Sequence, residues 1–168
     1  MKESSFLQDK AATVERLQKI PFLRQMQPDF LNGILSVSRI RKYDAGETII
    51  EQGRKDKWFY LLISGRVSIT QGDAEIADLD KPGEVFGETA LLDTGLKTNG
   101  ATAIRETICL AMDAGNSQKI EAGEQAVGYT MLYRFLCEVL ARRLDKTNEE
   151  LRLTQHELDM VKASHWNS

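Results

Sequence analysis

The chain has 168 residues, 42% of them hydrophobic, and its 22 basic and 25 acidic side chains leave a formal net charge of −3. This is enough apolar material for one domain with a real core and an appended element, and it offers no global basic field for nucleic acid or anionic membrane. No apolar run reaches the roughly 18 residues that span a bilayer and no hydrophobic signal segment opens the chain, so no membrane is expected and the cytoplasm is the expected compartment.

Residues 1–10 read as frayed. Val14, Leu17 and Ile20 share one side of a short amphipathic helix predicted over residues 11–20, which Pro21 ends. A second helix starts at Pro28, a favoured first helical residue, and continues through Phe30, Leu31, Ile34 and Leu35. Strands are predicted at 39–43, 48–51, 57–64, 66–71, 74–79, 84–86, 101–105 and 107–112, where β-branched and aromatic residues concentrate. Gly46, Gly53, Gly65, Gly72 and Gly83 punctuate them. Regular strands at this spacing suggest a jelly roll or similar closed sheet. Cys109 falls in a predicted strand and Cys137 in a predicted helix. Both read as small buried apolar residues, and nothing suggests a disulfide framework.

After Asp113 the strand pattern stops. Asn116 and Ser117 form a loop or cap, residues 118–129 a helical lead-in, and residues 130 to about 161 one long helix without proline or glycine. The expected divisions are therefore N-terminal helices over 1–37, a β-barrel over 38–113 and a helical segment over 114–168. On the long helix Tyr133, Cys137, Leu140, Leu144, Leu151, Leu158 and Val161 are spaced alternately by four and three, with Thr147 and Thr154 filling the gaps. That is a coiled-coil period. A helix packed on its own barrel wants a wider stripe. The narrow seam therefore predicts a parallel homodimer through residues 130–161.

The run Pro82-Gly83-Glu84-Val85-Phe86-Gly87-Glu88-Thr89-Ala90-Leu91-Leu92 carries the most chemistry. A glycine-punctuated turn leads straight into one short apolar turn, which brings backbone N–H groups and the Glu88 carboxylate to one space. Such N–H groups suit an anion. A carboxylate beside them competes with the anion unless it accepts from neutral hydroxyls, such as those of a ribose. This run follows, in order, Tyr43-Asp44-Ala45-Gly46-Glu47-Thr48-Ile49-Ile50, Glu51-Gln52-Gly53 and Phe59-Tyr60-Leu61-Leu62-Ile63-Ser64-Gly65-Arg66-Val67.

The ordered set resembles the cyclic nucleotide-binding domains, and the run at 82–92 resembles their phosphate-binding cassette. The resemblance extends from about Val14 to about Leu158. It implies a mainly β fold: a β-roll (a double-stranded β-helix of jelly-roll type) with flanking helices and a long C-terminal dimerisation helix. It also implies that Phe86, Gly87 and Glu88 border the ligand, that Glu88 accepts from the ribose 2′-hydroxyl, and that the Thr89 and Ala90 amides face the phosphate. The bland alternative has Glu88 capping the short helix, worth about 1 kcal/mol.

The family's phosphate arginine is missing. Counted back from the strand at 101–103 its place falls on Asn99, just before Gly100; counted forward from Glu88 it falls nearer Lys97. Neither is a planar bidentate cation. Lys97 could reach a phosphate as a point charge or sit in a loop as a solvated charge, and Asn99 could donate a neutral hydrogen bond. Losing a charge-assisted bond costs about 1.5–3 kcal/mol, so the expectation is weaker binding of cAMP or cGMP, or preference for a less charged ligand. Residues 140–149 resemble the central dimer helix of the catabolite-activator branch, which places Thr147 and Asn148 at the base.

The reading is a regulatory protein that senses a cyclic nucleotide or related small molecule and signals through an unidentified effector protein. The alternative is a degenerate cassette that serves as a dimeric scaffold or takes a nucleoside-like ligand. Catalysis is not expected, and neither is a metal or cofactor other than the ligand. A cupin-type metal site needs histidines inside the barrel, whereas His156 and His165 both lie beyond it. Sequence-specific DNA binding is not expected, because only seven residues follow Val161 and cannot build a helix-turn-helix.

Overall fold

The computed structural model describes residues 2–4, 10–21, 23–91, 95–115 and 124–166. In chain order the strands are β1 (Lys2–Ser4), β2 (Ser38–Tyr43), β3 (Thr48–Ile50), β4 (Trp58–Ser64), β5 (Val67–Gln71), β6 (Ala74–Leu79), β7 (Val85–Phe86), β8 (Gly100–Ala103) and β9 (Thr107–Asp113). The helices are α1 (Lys10–Gln18), α2 (Pro28–Ser36) and α3 (Glu124–Trp166), with short 3-10 turns at Leu23–Gln25 and Glu88–Leu91. The strands form two antiparallel sheets, ordered β1-β2-β9-β4-β7 and β3-β8-β5-β6. This is the expected mainly β roll with flanking helices.

The strands alternate in which face they present to the roll interior. Tyr43, Tyr60, Leu62, Cys109 and Ala111 from one sheet share a core with Ile50, Val67, Ile69, Ala101 and Ala103 from the other. Phe86 completes it, its ring stacked on Tyr60 with centroids 5.3 Å apart. Each large side chain buried there contributes about 1.5–3 kcal/mol. β4 is buried from Phe59 through Ile63, which is why it reads as a continuous apolar run. Between β4 and β5, Gly65 has φ +116°, and a Cβ there would lie 2.6 Å from the Thr107 backbone. Only glycine fits that turn.

Four features depart from expectation. Lys2, Glu3 and Ser4 are not frayed: they pair with Lys42, Arg41 and Ile40 on the edge of β2. Their polar sequence carries no alternation to announce a strand, and the pairing is made by the backbone. Second, the helical lead-in and the long helix are one element, with α3 running unbroken from Glu124 through Gly128. A Cβ on Gly128 would meet Gly33 O at 2.8 Å and Ser36 Oγ at 2.8 Å, so the glycine that weakens a helix locally is required where α3 crosses α2. The loop at 116–117 and the first part of the lead-in, 118–123, lie outside the described residues. Third, Cys109 is buried but Cys137 is exposed, and both are free thiols. On α3 the buried side chains Leu132, Phe135, Leu136 and Val139 follow one stripe, and Cys137 falls off it. The fourth, the burial of Lys97, belongs to the site.

The chain divides into two compact units, Met1–Leu132 and Tyr133–Ser168. In the second, the seam residues Leu144, Leu151, Leu158 and Val161 are all exposed, and Arg152 pairs with Glu149 at 2.7 Å. Among the described residues no helix is long and apolar enough to cross a membrane.

The core sets a pH dependence. Burial, then the neighbouring Tyr60, raises Tyr43 well above the ordinary tyrosine value. Burial also raises Tyr60, against the pull of Arg41, and pushes Cys109 up to about 12. The unfolded chain releases these protons from about pH 8.5 for the thiol and about pH 10 for the phenols. The folded chain holds them, so stability falls as pH rises through that window. Lys97, whose folded value is lowered by burial, works in the opposite sense, but it is one group against three. The melting temperature followed by circular dichroism should therefore drop by several degrees between neutral pH and about pH 10.5, and Tyr43→Phe should shrink the drop. A flat or rising profile would refute this account.

Candidate functional site

The cassette is held to the barrel from both sides. Ahead of it, the Gly83 N–H donates to Leu62 O at 2.8 Å and the Leu62 N–H donates to Glu84 O at 2.8 Å. These bonds stitch the turn to β4 before β7 begins. Tyr60 and Leu61 of β4 then pair with Phe86 and Val85. Phe86 is buried against Tyr60 and anchors the cassette in the core.

Gly87 makes the corner, at φ +75°. A Cβ there would lie 2.7 Å from Ile50 Cδ1 and 3.5 Å from Trp58 O. A side chain would be strained by the backbone and would push the tip of Ile50 aside. The 3-10 turn Glu88–Leu91 follows, with Glu88 and Thr89 half-buried. The side chain of Ala90 and all of residues 92–94 lie outside what is described.

The chain returns through residues 95–97, which run alongside residues 53–56. The Lys97 N–H donates to Arg54 O at 2.9 Å, the Gly53 N–H to Lys97 O at 2.8 Å and the Asp56 N–H to Gly95 O at 3.2 Å. This register turns the Lys97 side chain into the wall of the roll. It is only 1% exposed, so the solvated-charge reading of Lys97 is overturned. Its ammonium pairs with Asp56 Oδ1 at 3.1 Å and donates to Gly87 O at 3.3 Å and to Trp58 O. Burial pushes the Lys97 pKa down, while Asp56 and then Glu88 pull it back up. Asn99 is half-buried at the entrance to β8, and Gly100, the first residue of that strand, is buried.

Two residues that sequence reasoning passed over complete this corner. Asp56 accepts from the Trp58 N–H at 2.9 Å while pairing with Lys97. Trp58 lies beneath Arg41, whose guanidinium carbon is 4.1 Å from the ring centroid, with Arg39 at 5.5 Å. No local motif marks either one. The long-range pairing of residues 53–56 with 95–97, Lys55 opposite Leu96, brings Asp56 to Lys97.

The structure thus gathers Phe86, Gly87, Glu88, Thr89, Lys97, Asn99 and Gly100 within the first unit. Thr147 and Asn148 belong to the second, exposed on α3. Among the described residues no group of three or more His, Cys, Asp or Glu side chains could hold a metal ion.

Residues 40–122 match the family model of the cyclic nucleotide-binding domain. The cyclic AMP receptor protein of Thermus thermophilus is 30% identical over 141 residues, covering 82% of this chain and 63% of that protein. A CRP-like cAMP-activated global transcriptional regulator of Mycobacterium tuberculosis is 26% identical, covering 82% of this chain and 61% of the regulator. The chain thus spans less than two thirds of the length of either relative. Among solved structures, PKAR CBD2 bound to Sp-2Cl-cAMPS superposes with a TM-score of 0.62 at 19% identity, covering 87% of this chain and 91% of that one. That likeness is one of fold.

Proposed function

We propose a regulatory, ligand-sensing function from the premise that this chain belongs to the family of cyclic nucleotide-binding domains, through residues 40–122. In this reading a cyclic nucleotide, cAMP or cGMP, binds at the cassette. Glu88 accepts from the ribose hydroxyl, and the Thr89 and Ala90 amides meet the phosphate. The protein acts as a dimer in the cytoplasm and passes the ligand signal to an effector protein rather than catalysing a reaction. The observation that supports it best is the Gly87 corner: its positive φ calls for glycine and leaves no side chain over the backbone next to Glu88.

A second reading has its own support. Lys97 is the sole cation between Glu88 and Gly100, and its ammonium already has three acceptors within the protein. A site in which that charge is committed suits a weakly bound phosphate or a neutral nucleoside-like ligand, or no ligand at all in a dimeric scaffold.

Calorimetry with cAMP, cGMP and adenosine separates these readings. The expected result is cyclic nucleotide binding that tightens by about tenfold or more in Asn99→Arg, the worth of one charge-assisted hydrogen bond. Adenosine binding better than either nucleotide, with no gain from Asn99→Arg, would favour the less charged ligand. No binding of any of them at millimolar concentration would leave the scaffold.

A further inference from the structure

We infer that Lys97 is a positioning residue of the cassette: its buried ammonium fixes the orientation of the Gly87–Glu88 peptide and does not itself hold the ligand. This rests on the reading that the cassette is the ligand site.

The argument starts from the donor inventory. An ammonium has three N–H donors and no acceptor. Lys97 meets three acceptors, the carbonyls of Trp58 and Gly87 and the Asp56 carboxylate. A lysine turned outward to a phosphate would abandon all three and leave Asp56 without its cation. Asp56 is itself half-buried, so its carboxylate would lose its counter-charge while only partly hydrated.

The Gly87 carbonyl matters most. All peptide bonds described are trans, so the N–H of the Gly87–Glu88 peptide points opposite to its C=O. With the carbonyl drawn inward to Lys97, the Glu88 N–H turns away from the barrel wall, to the side on which the cassette would meet a ligand. Gly87 alone would not hold this arrangement, because glycine is free to rotate the peptide. Lys97 removes that freedom. Trp58 opens β4 and Asp56 lies two residues ahead of it, so the same ammonium ties the cassette to the entry of that strand. A charge that could have met a phosphate directly here preorganises the backbone instead.

Three measurements test this. Acylation of the intact protein with acetic anhydride, read by peptide mass spectrometry, should modify the exposed Lys55 and Lys81 but spare Lys97, with and without millimolar cAMP. Ready labelling of Lys97 that cAMP suppresses would make it a ligand contact and overturn the proposal. Hydrogen exchange should show the amides of residues 87–91 opening at least about tenfold faster in Lys97→Met and in Asp56→Asn, with those of β4 and β9 unchanged. Unaltered exchange in the cassette of either variant overturns it.

The third arm is affinity. Asp56→Asn should weaken cAMP binding several-fold by loosening the peptide; if Lys97 is a phosphate cation, releasing it from Asp56 would tighten binding instead. Should wild type bind no cAMP, the functional reading fails while the exchange result still decides the role of Lys97. Should Lys97→Met not fold, Asp56→Asn and wild-type acylation decide it.

Discussion

Leu144→Glu combined with Leu151→Glu should separate the proposed dimer into monomers. In wild type these side chains and Leu158 are 61%, 55% and 51% exposed, spaced seven apart on a seam that also exposes Tyr133, Leu140 and Val161. Buried leucine contributes about 1.5–3 kcal/mol, and a symmetric seam loses each site twice, so the two substitutions forfeit at least ~6 kcal/mol. That exceeds four orders of magnitude in Kd. Thr147 and Thr154, on the same line, make the seam shallow and leave little reserve against such a loss. Sedimentation at tens of micromolar reads the outcome, and the β-sheet signal in circular dichroism should survive, because the barrel core lies elsewhere. A wild-type chain that sediments as a monomer would refute the seam as an interface.

The second large effect is expected at Glu88. Replacing it with alanine should abolish measurable cyclic nucleotide binding. A hydrogen bond to an ionised carboxylate is worth about 1.5–3 kcal/mol, or roughly ten- to a hundredfold in affinity. No arginine lies between Glu88 and Gly100, and on the proposed reading the site is weak to begin with, so such a loss passes beyond what calorimetry registers. The competing role, a cap on the turn Glu88–Leu91, predicts a different pattern: stability down by about 1 kcal/mol and affinity unchanged. Melting and titration of the same variant therefore assign the carboxylate to one role or the other.

What could be read in the chain beforehand was local. The strand predicted at 74–79 is β6 residue for residue, and those predicted at 57–64 and 107–112 differ from β4 and β9 by one residue. Runs rich in β-branched, aromatic and apolar residues, bounded by glycine turns, write such elements into a few consecutive positions. The cassette was legible for the same reason, as a run of adjacent residues. What escaped depends on partners far away in sequence. The strand at Lys2–Ser4 exists only through β2. The glycine inside α3 makes sense only against α2. Lys97 lies 41 positions from Asp56 and 39 from Trp58, so its burial follows from a register that no single stretch encodes.

The position of Trp58 has a practical consequence. Its carbonyl accepts from Lys97 and its indole lies beneath Arg41, so its emission is tuned by the charges that surround the cassette. The other tryptophan, Trp166, is the last residue of α3. The protein therefore carries its own optical probe beside the site: in a Trp166→Phe background, intrinsic fluorescence can follow ligand titrations and rapid-mixing kinetics with no dye attached.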